Sequence, residues 1–128
     1  MIIPDFCSEP PLDFGRASNR KDFEAALRRV EGRLGSHYPV LIAGEPVDTL
    51  DRIVSYNPAH PGQVIGTHSV ADLVHVDRAV QAGWETFPFW SRTSVEERAL
   101  VLLRAAEAVR KRRHELGALM VYEVGKPW

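Results

Sequence analysis

Tyr38-Pro39-Val40-Leu41-Ile42-Ala43-Gly44-Glu45, then Arg52-Ile53-Val54-Ser55-Tyr56, then Gln63-Val64-Ile65-Gly66-Thr67-His68: on these runs the fold of this sequence turns. Tyr38 to Ala43 reads as a short apolar strand, with Gly44-Glu45 as a tight turn into Pro46-Val47. Arg52 to Tyr56 reads as a second strand. Asn57-Pro58-Ala59-His60-Pro61-Gly62 is rich in chain-turning residues, so Gln63 to His68 is expected to return as a third strand. Three or four strands this short and close predict antiparallel pairing, because a parallel crossover needs about a dozen residues or more.

Helical periodicity flanks the strands on both sides. Upstream, Phe23, Ala26, Leu27, Val30 and Leu34 recur on one face between polar residues, predicting a helix that Ser18 or Asn19 caps and Gly35 stops. Residues 1–17 have no such period, and Pro4, Pro10 and Pro11 withhold donors a helix would need, so they form an extended leader. Downstream, Asp72 caps a helix with the apolar face Leu73, Val76, Val80, Trp84 and Phe87, which Pro88 is expected to end. Gly83 lies on that side, where another backbone could approach closely. Thr93-x-x-Glu96 and Ser94-x-x-Glu97 are overlapping capping boxes that open the last helical region. Its stripe of Ala99, Leu102, Leu103, Ala106 and Val109 is interrupted by Arg110-Lys111-Arg112-Arg113 and resumes at Leu116, Leu119, Met120 and Val124. Two consecutive helices or a bent one follow from that break, with Gly125 and Pro127 as the stop.

Composition narrows the function classes. Of 128 residues, 45% are apolar and 26% charged, the balance of one folded, soluble domain. A net charge of −1 lacks the basic excess of a nucleic-acid binder. No apolar run approaches the ~18 residues that span a bilayer. The first five residues have no basic segment and meet Pro4 at once, unlike a secretory signal. A single Cys7 fits a reducing compartment, so the cytoplasm is the expected location.

The ordered segments resemble one family. Tyr38 to Glu45 followed by Ser55-Tyr56-Asn57-Pro58-Ala59 is similar to the first hairpin of aldehyde dehydrogenases, as is Gln63-Val64-Ile65-Gly66. Val76-Asp77-Arg78-Ala79-Val80-Gln81-Ala82-Gly83, Phe87, Trp90, Glu97-Arg98, Leu102-Leu103-Arg104-Ala105-Ala106 and Glu123-Val124-Gly125-Lys126-Pro127 continue the likeness to residue 128. Pro10-Pro11-Leu12-Asp13-Phe14 and the helix from Asn19 through Gly35 resemble the N-terminal extension of 1-pyrroline-5-carboxylate dehydrogenases, also called L-glutamate γ-semialdehyde dehydrogenases. Val121-Tyr122-Glu123-Val124-Gly125-Lys126 agrees. With no proline dehydrogenase domain ahead of Met1, the monofunctional form is expected.

The resemblance implies an α/β fold in which residues 18–128, behind the leader of residues 1–17, form the incomplete N-terminal part of a cofactor domain. An N-terminal helix, a small antiparallel hairpin sheet and two or three further helices would buttress a Rossmann-like NAD domain that the chain lacks. Family members oxidise glutamate semialdehyde to glutamate with NAD in proline catabolism. A cysteine thiolate attacks the aldehyde, hydride passes to the nicotinamide, and a glutamate-activated water hydrolyses the thioester. The implied partners are the remainder of the dehydrogenase chain and further copies of the enzyme; neither nucleic acid nor membrane is expected. Two alternatives stay open at this point: another aldehyde dehydrogenase, or a stand-alone protein-binding module without catalysis.

No catalytic, cofactor-binding or metal residue is assigned within the chain. Cys7 lies in the leader between Asp5 and Glu9, a setting that disfavours its thiolate. His37, His60, His68, His75 and His114 occur singly, without the converging spacing zinc requires. Acids at Glu107 and Glu115 flank the basic run Arg110 to Arg113, which reads as a solvated helix junction. Gly125-Lys126-Pro127 closes a helix, whereas a phosphate loop opens one, so no NAD site is expected here. Trp84, Phe87, Phe89 and Trp90 read as core or interface packing.

Overall fold

The computed structural model describes Asp5 and residues 7–128; the reading of Met1 to Pro4 as no secretory signal lies outside the described residues. Helix α1 (Ala17–Glu31) is followed by strands β1 (Ser36–Tyr38), β2 (Val40–Ile42), β3 (Glu45–Val47), β4 (Arg52–Asn57) and β5 (His60–Ser69). Helices α2 (Leu73–Trp90), α3 (Val95–Lys111) and α4 (Arg113–Val124) complete the order.

Helix α1 begins two residues earlier than Asn19 and ends before Leu34. Arg16 occupies the cap position without a side-chain cap among the described residues. Asn19 does not cap because it already lies in the first turn of the helix; its side-chain amide donates to the Asp13 carbonyl at 2.9 Å, while Arg20 donates to the Phe14 and Gly15 carbonyls. Gly32 ends the helix, and Leu34 and Gly35 belong to the turn beyond it.

The strand expected from Tyr38 to Ala43 is two strands, because Pro39 has no amide to donate and divides β1 from β2. Strands β2 and β3 form a hairpin in which Ile42 faces Glu45, so its turn is Ala43-Gly44, one residue earlier than expected. Both turn residues have positive φ, 53° and 83°, as a two-residue loop matched to the strand twist requires. Ala43 has a Cβ, which makes that conformation costly by about 1–2 kcal/mol.

The remaining strands form a separate sheet in the order β1-β5-β4. Strands β4 and β5 are antiparallel across a turn that Asn57 closes by accepting from the Ala59 amide at 2.9 Å. Strand β1 runs parallel to β5, pairing Ser36 with Gly66 and Tyr38 with His68. The all-antiparallel expectation therefore fails at β1. Its partner is not a neighbour in sequence: β2, β3 and β4 lie between, which is chain enough for a parallel return.

The three C-terminal helices start and stop largely where their caps stand. Asp72 accepts from the His75 amide at 3.0 Å, and Ser94 with Glu97 closes a reciprocal capping box. Helix α2 runs through Pro88 to Trp90 and does not end there. Pro88 sits in the last turn, where its missing N–H forfeits one hydrogen bond and leaves no following turns to disrupt. Arg112 separates α3 from α4, so the basic run divides two helices. Gly125, at φ 66°, ends α4 in the left-handed region.

The core lies between α1 and α4. Ala26 and Ala118 are fully buried with Val30, and Leu27, Leu34, Leu119 and Tyr122 pack around them. Small residues on both helices let the two backbones approach. Phe23 continues this core into a ring cluster, stacked on Trp128 at 5.3 Å and edge-on to Phe14 at 5.3 Å. The leader is thereby held: Glu9 pairs with Arg110, and the Pro10 carbonyl accepts from Arg113 at 3.1 Å.

Candidate functional site

The groups singled out in the sequence do not converge on one centre. Cys7 is exposed. His60 is exposed at the start of β5, His68 stacks on Tyr38, and His75 belongs to the Asp72 cap. His114 lies beside Phe23, with its Nδ1 buried and unpartnered among the described residues. No group of three or more His, Cys, Asp or Glu among the described residues could hold a metal ion. The basic junction is neutralised locally: Arg110 pairs with Glu9 and Glu107, Arg112 with Glu115, and Lys111 with Glu107. No described helix is long and apolar enough to cross a membrane.

One cluster escaped the sequence reading. Because β1 and β5 are parallel, His37 faces Thr67, and Ser69 lies two residues on along the same face. Asp48, just beyond β3, enters this group. Its Oδ1 lies 3.0 Å from His37 Nε2, 2.8 Å from Ser69 Oγ, 2.9 Å from Arg52 Nη2 and 3.0 Å from the Thr49 amide. These donors hold the Asp48 carboxyl below its ordinary range, the Ser69 and His37 hydrogen bonds most strongly and Arg52 by charge.

The residue types suggest a hydrolytic triad, but the arrangement does not. Ser69 gives its single proton to Asp48, so His37 must donate at Nε2, and its Nδ1 lies 3.0 Å from Thr67 Oγ1. A serine triad places the hydroxyl and the carboxylate on opposite ring nitrogens; here Ser69 and Asp48 share one. The hollow beside Asp48 is lined by Thr49, Leu50, Asp51, Arg52, Val70, Asp72 and His75, and neither Thr67 nor Ser69 opens into it. The arrangement is structural.

A second concave region, of about 210 Å³, lies between α1, α4 and the β1-β5 edge. Leu34, Ile65, Leu116 and Leu119 give it apolar walls, and Arg33, Arg112 and Glu115 form its polar end. Glu115 of α4 ties the turn after α1 to the α3-α4 junction, 2.7 Å from Arg33 and 2.9 Å from Arg112. The Arg112 and Arg33 hydrogen bonds lower the Glu115 carboxyl from 4.5 to about 2. A depressed folded-state value means the stabilisation is complete above the unfolded value, near pH 4.5, and is lost as pH falls toward 2. Glu115→Gln is expected to cost about 1 kcal/mol near pH 7, the upper range for partly exposed pairs. In urea titrations at stepped pH, the gap from the unsubstituted chain should close below pH 4.5; a constant gap would contradict the assignment.

The apolar faces of α2 and α3 stand open to solvent. Neither helix contains a buried residue. Trp84 is 65% exposed, Phe89 74% and Leu102 72%. Trp84 and Phe87 meet edge-on at 5.8 Å, but the aromatic group expected as core or interface has no cover among the described residues. Gly83 is likewise open on the same helix, with nothing where a Cβ would stand. Contiguous apolar surface of this kind marks an interface.

Residues 46–128 match the pattern of the aldehyde dehydrogenase family. The chain belongs to the aldehyde dehydrogenase family. Among aldehyde dehydrogenases, 1-pyrroline-5-carboxylate dehydrogenase 2 of Halalkalibacterium halodurans is 50% identical over 128 residues, covering 100% of this chain and 25% of its own length. A 1-pyrroline-5-carboxylate dehydrogenase of Geobacillus sp. is 47% identical over 127 residues, covering 99% and 25% respectively. The structure of 1-pyrroline-5-carboxylate dehydrogenase from Thermus with bound NAD superposes on 100% of this chain and 25% of that one, with a TM-score of 0.96 and 42% identity. The expected aldehyde dehydrogenase fold is thus the fold observed. The chain spans about a quarter of the length of the relatives it matches.

Proposed function

We propose that residues 18–128, behind the leader of residues 1–17, are the N-terminal part of the cofactor domain of a dehydrogenase that oxidises L-glutamate γ-semialdehyde to glutamate with NAD. The observation that carries this reading is the superposition of the whole chain on the Thermus enzyme. The uncovered faces of α2 and α3 support it, since further polypeptide of the dehydrogenase would cover them. Assembly of the whole enzyme into homo-oligomers and a cytoplasmic location belong to the same proposal.

The residues present do not fit the nucleotide. A dinucleotide site uses a glycine-rich turn from a parallel strand into an open helix N-terminus. Here Val70-Ala71-Asp72 joins β5 to α2, and the Asp72 carboxylate already occupies that helix end. Ser94 and Glu97 close the start of α3 in the same way. Both ends present a carboxylate where a phosphate would need free amides. No catalytic, cofactor-binding or metal residue is therefore assigned in this chain, and the nucleophile, base and nucleotide site are placed in further dehydrogenase polypeptide.

The test is activity. The chain of residues 1–128 alone is expected to reduce no NAD above background with glutamate semialdehyde, as followed by NADH absorbance. A dehydrogenase carrying this segment as part of its full length is expected to turn over. Activity of residues 1–128 alone in a clean preparation would overturn the proposal, as would a full-length chain inert toward this aldehyde.

A further inference from the structure

We infer that the hydrogen-bond cluster centred on the Asp48 carboxylate is a latch that holds the β2-β3 hairpin against the β1-β5-β4 sheet, and that through the hairpin it sets the angle of α2. The two sheets share no ladder. Asp48 follows β3 directly, and its carboxylate meets one group from each strand of the other sheet: His37 from β1, Ser69 from β5 and Arg52 from β4. The remaining capacity of those groups is turned inward as well. Ser69 accepts from Arg52 at 3.2 Å, Arg52 also donates to the Thr49 carbonyl, and His37 Nδ1 bonds Thr67 Oγ1. A carboxylate receiving four donors fixes its own backbone far better than a single pair would, because each bond restricts the geometry of the others.

The hairpin carries the consequence outward. Helix α2 packs on β2, and Ala43 at the hairpin turn shares a shallow hollow with Ala79, Ala82 and Gly83 of α2. Ile42, at the end of β2, is one of the few buried apolar residues outside the α1-α4 core. A hairpin free to rock on Pro39 would move α2 with it. The latch does not depend on the functional reading above; its use in presenting the α2 face to further polypeptide does.

Charge adds a condition for opening. His37 and Arg52 are the titratable or charged groups that face Asp48, while Asp51, Asp72 and His75 share the adjacent hollow. With the carboxyl held below its ordinary value, the latch opens on acidification at a lower pH than an unshifted aspartate would lose its charge.

Hydrogen–deuterium exchange on the full 128-residue chain tests the latch, comparing Asp48→Asn and Ser69→Ala with the unsubstituted protein. Losing a hydrogen bond to a charged group changes an opening equilibrium by about tenfold or more. Exchange across residues 40–52 and 73–90 is expected to quicken by that factor, while amides of α1 and α4 keep their rates. Asp48→Glu, which keeps the charge, should restore part of the protection. Unchanged exchange in the hairpin, or a hairpin that opens while α2 stays protected, would overturn the inference. So would a uniform rise across all four helices. Should Asp48→Asn fail to fold, Ser69→Ala removes one donor at smaller cost and decides the question. None of these outcomes bears on whether the full-length enzyme oxidises an aldehyde, so the latch and the proposed function fail separately.

Discussion

Phe23→Ala is expected to destabilise the chain by about 3–5 kcal/mol, the usual cost of removing a buried phenylalanine. Phe23 is 4% exposed and joins parts of the molecule that are far apart in sequence. Its ring stacks on Trp128, meets Phe14 edge-on and lies beside His114 of α4. Gly117 adds to the fit, because a Cβ there would stand 3.0 Å from the Phe23 ring. Truncation thus leaves a cavity, frees Trp128 and releases the leader at Phe14. With total stabilities of roughly 5–15 kcal/mol for ordinary domains, a loss of this size leaves little folded protein. Urea titration followed by tryptophan emission reads the result well. With Trp84 and Trp90 replaced by phenylalanine in both proteins, a red shift before the main transition reports Trp128 alone. Phe89→Ala is the control: at 74% exposure it is expected to change stability by no more than about 0.5 kcal/mol. Equal costs for the two substitutions would refute the placement of the core between α1 and α4.

What the sequence made legible follows from how local each feature is. Asp72, the Ser94-Glu97 pair and Gly125 act within one turn of their own backbone, so their residue types mark the helix ends directly. The basic run interrupts an apolar stripe, and the helix does break there, at Arg112. Features decided by distant partners were not legible. Asn19 has the chemistry of a cap, but the chain enters the helix at Ala17, where Asn19 and Arg20 reach back to the Asp13, Phe14 and Gly15 carbonyls. Pro88 is a helix breaker by type, yet its position in the last turn makes it tolerable.

The Asp48 cluster is the clearest case of a non-local feature. His37 stands some thirty residues from Thr67 and Ser69 and meets them only because β1 runs parallel to β5. An antiparallel pairing in this region would bring other residues opposite His37. The visible signal was period-two spacing of Thr67 and Ser69 on one strand, which places them together but does not say what faces them. The exposed α2 and α3 stripes show the opposite situation. Periodicity identified their apolar faces, and the resemblance to a longer enzyme implied a missing cover; the three-dimensional arrangement adds which residues are left exposed among the described ones.

A double substitution on α2, Trp84→Lys with Phe87→Lys, is expected to act in opposite directions in the two settings. In the 128-residue chain both side chains are more than half exposed. Replacing them adds two charges to an uncovered apolar surface and should reduce self-association, with little loss of stability. Sedimentation should show a larger monomer fraction than the unsubstituted chain gives. In a full-length dehydrogenase carrying this segment, the same face is proposed to lie under further polypeptide. There the two ammonium groups would be buried without partners, a penalty of several kcal/mol for each ion. Folded yield and activity should fall together, by an amount far exceeding the effect of lysine at Glu85 and Glu96, which stand exposed on α2 and α3. A full-length enzyme indifferent to the double substitution would show that the α2 face stays open to solvent, and the reading of this chain as a buttress for the rest of a dehydrogenase would lose its main physical support.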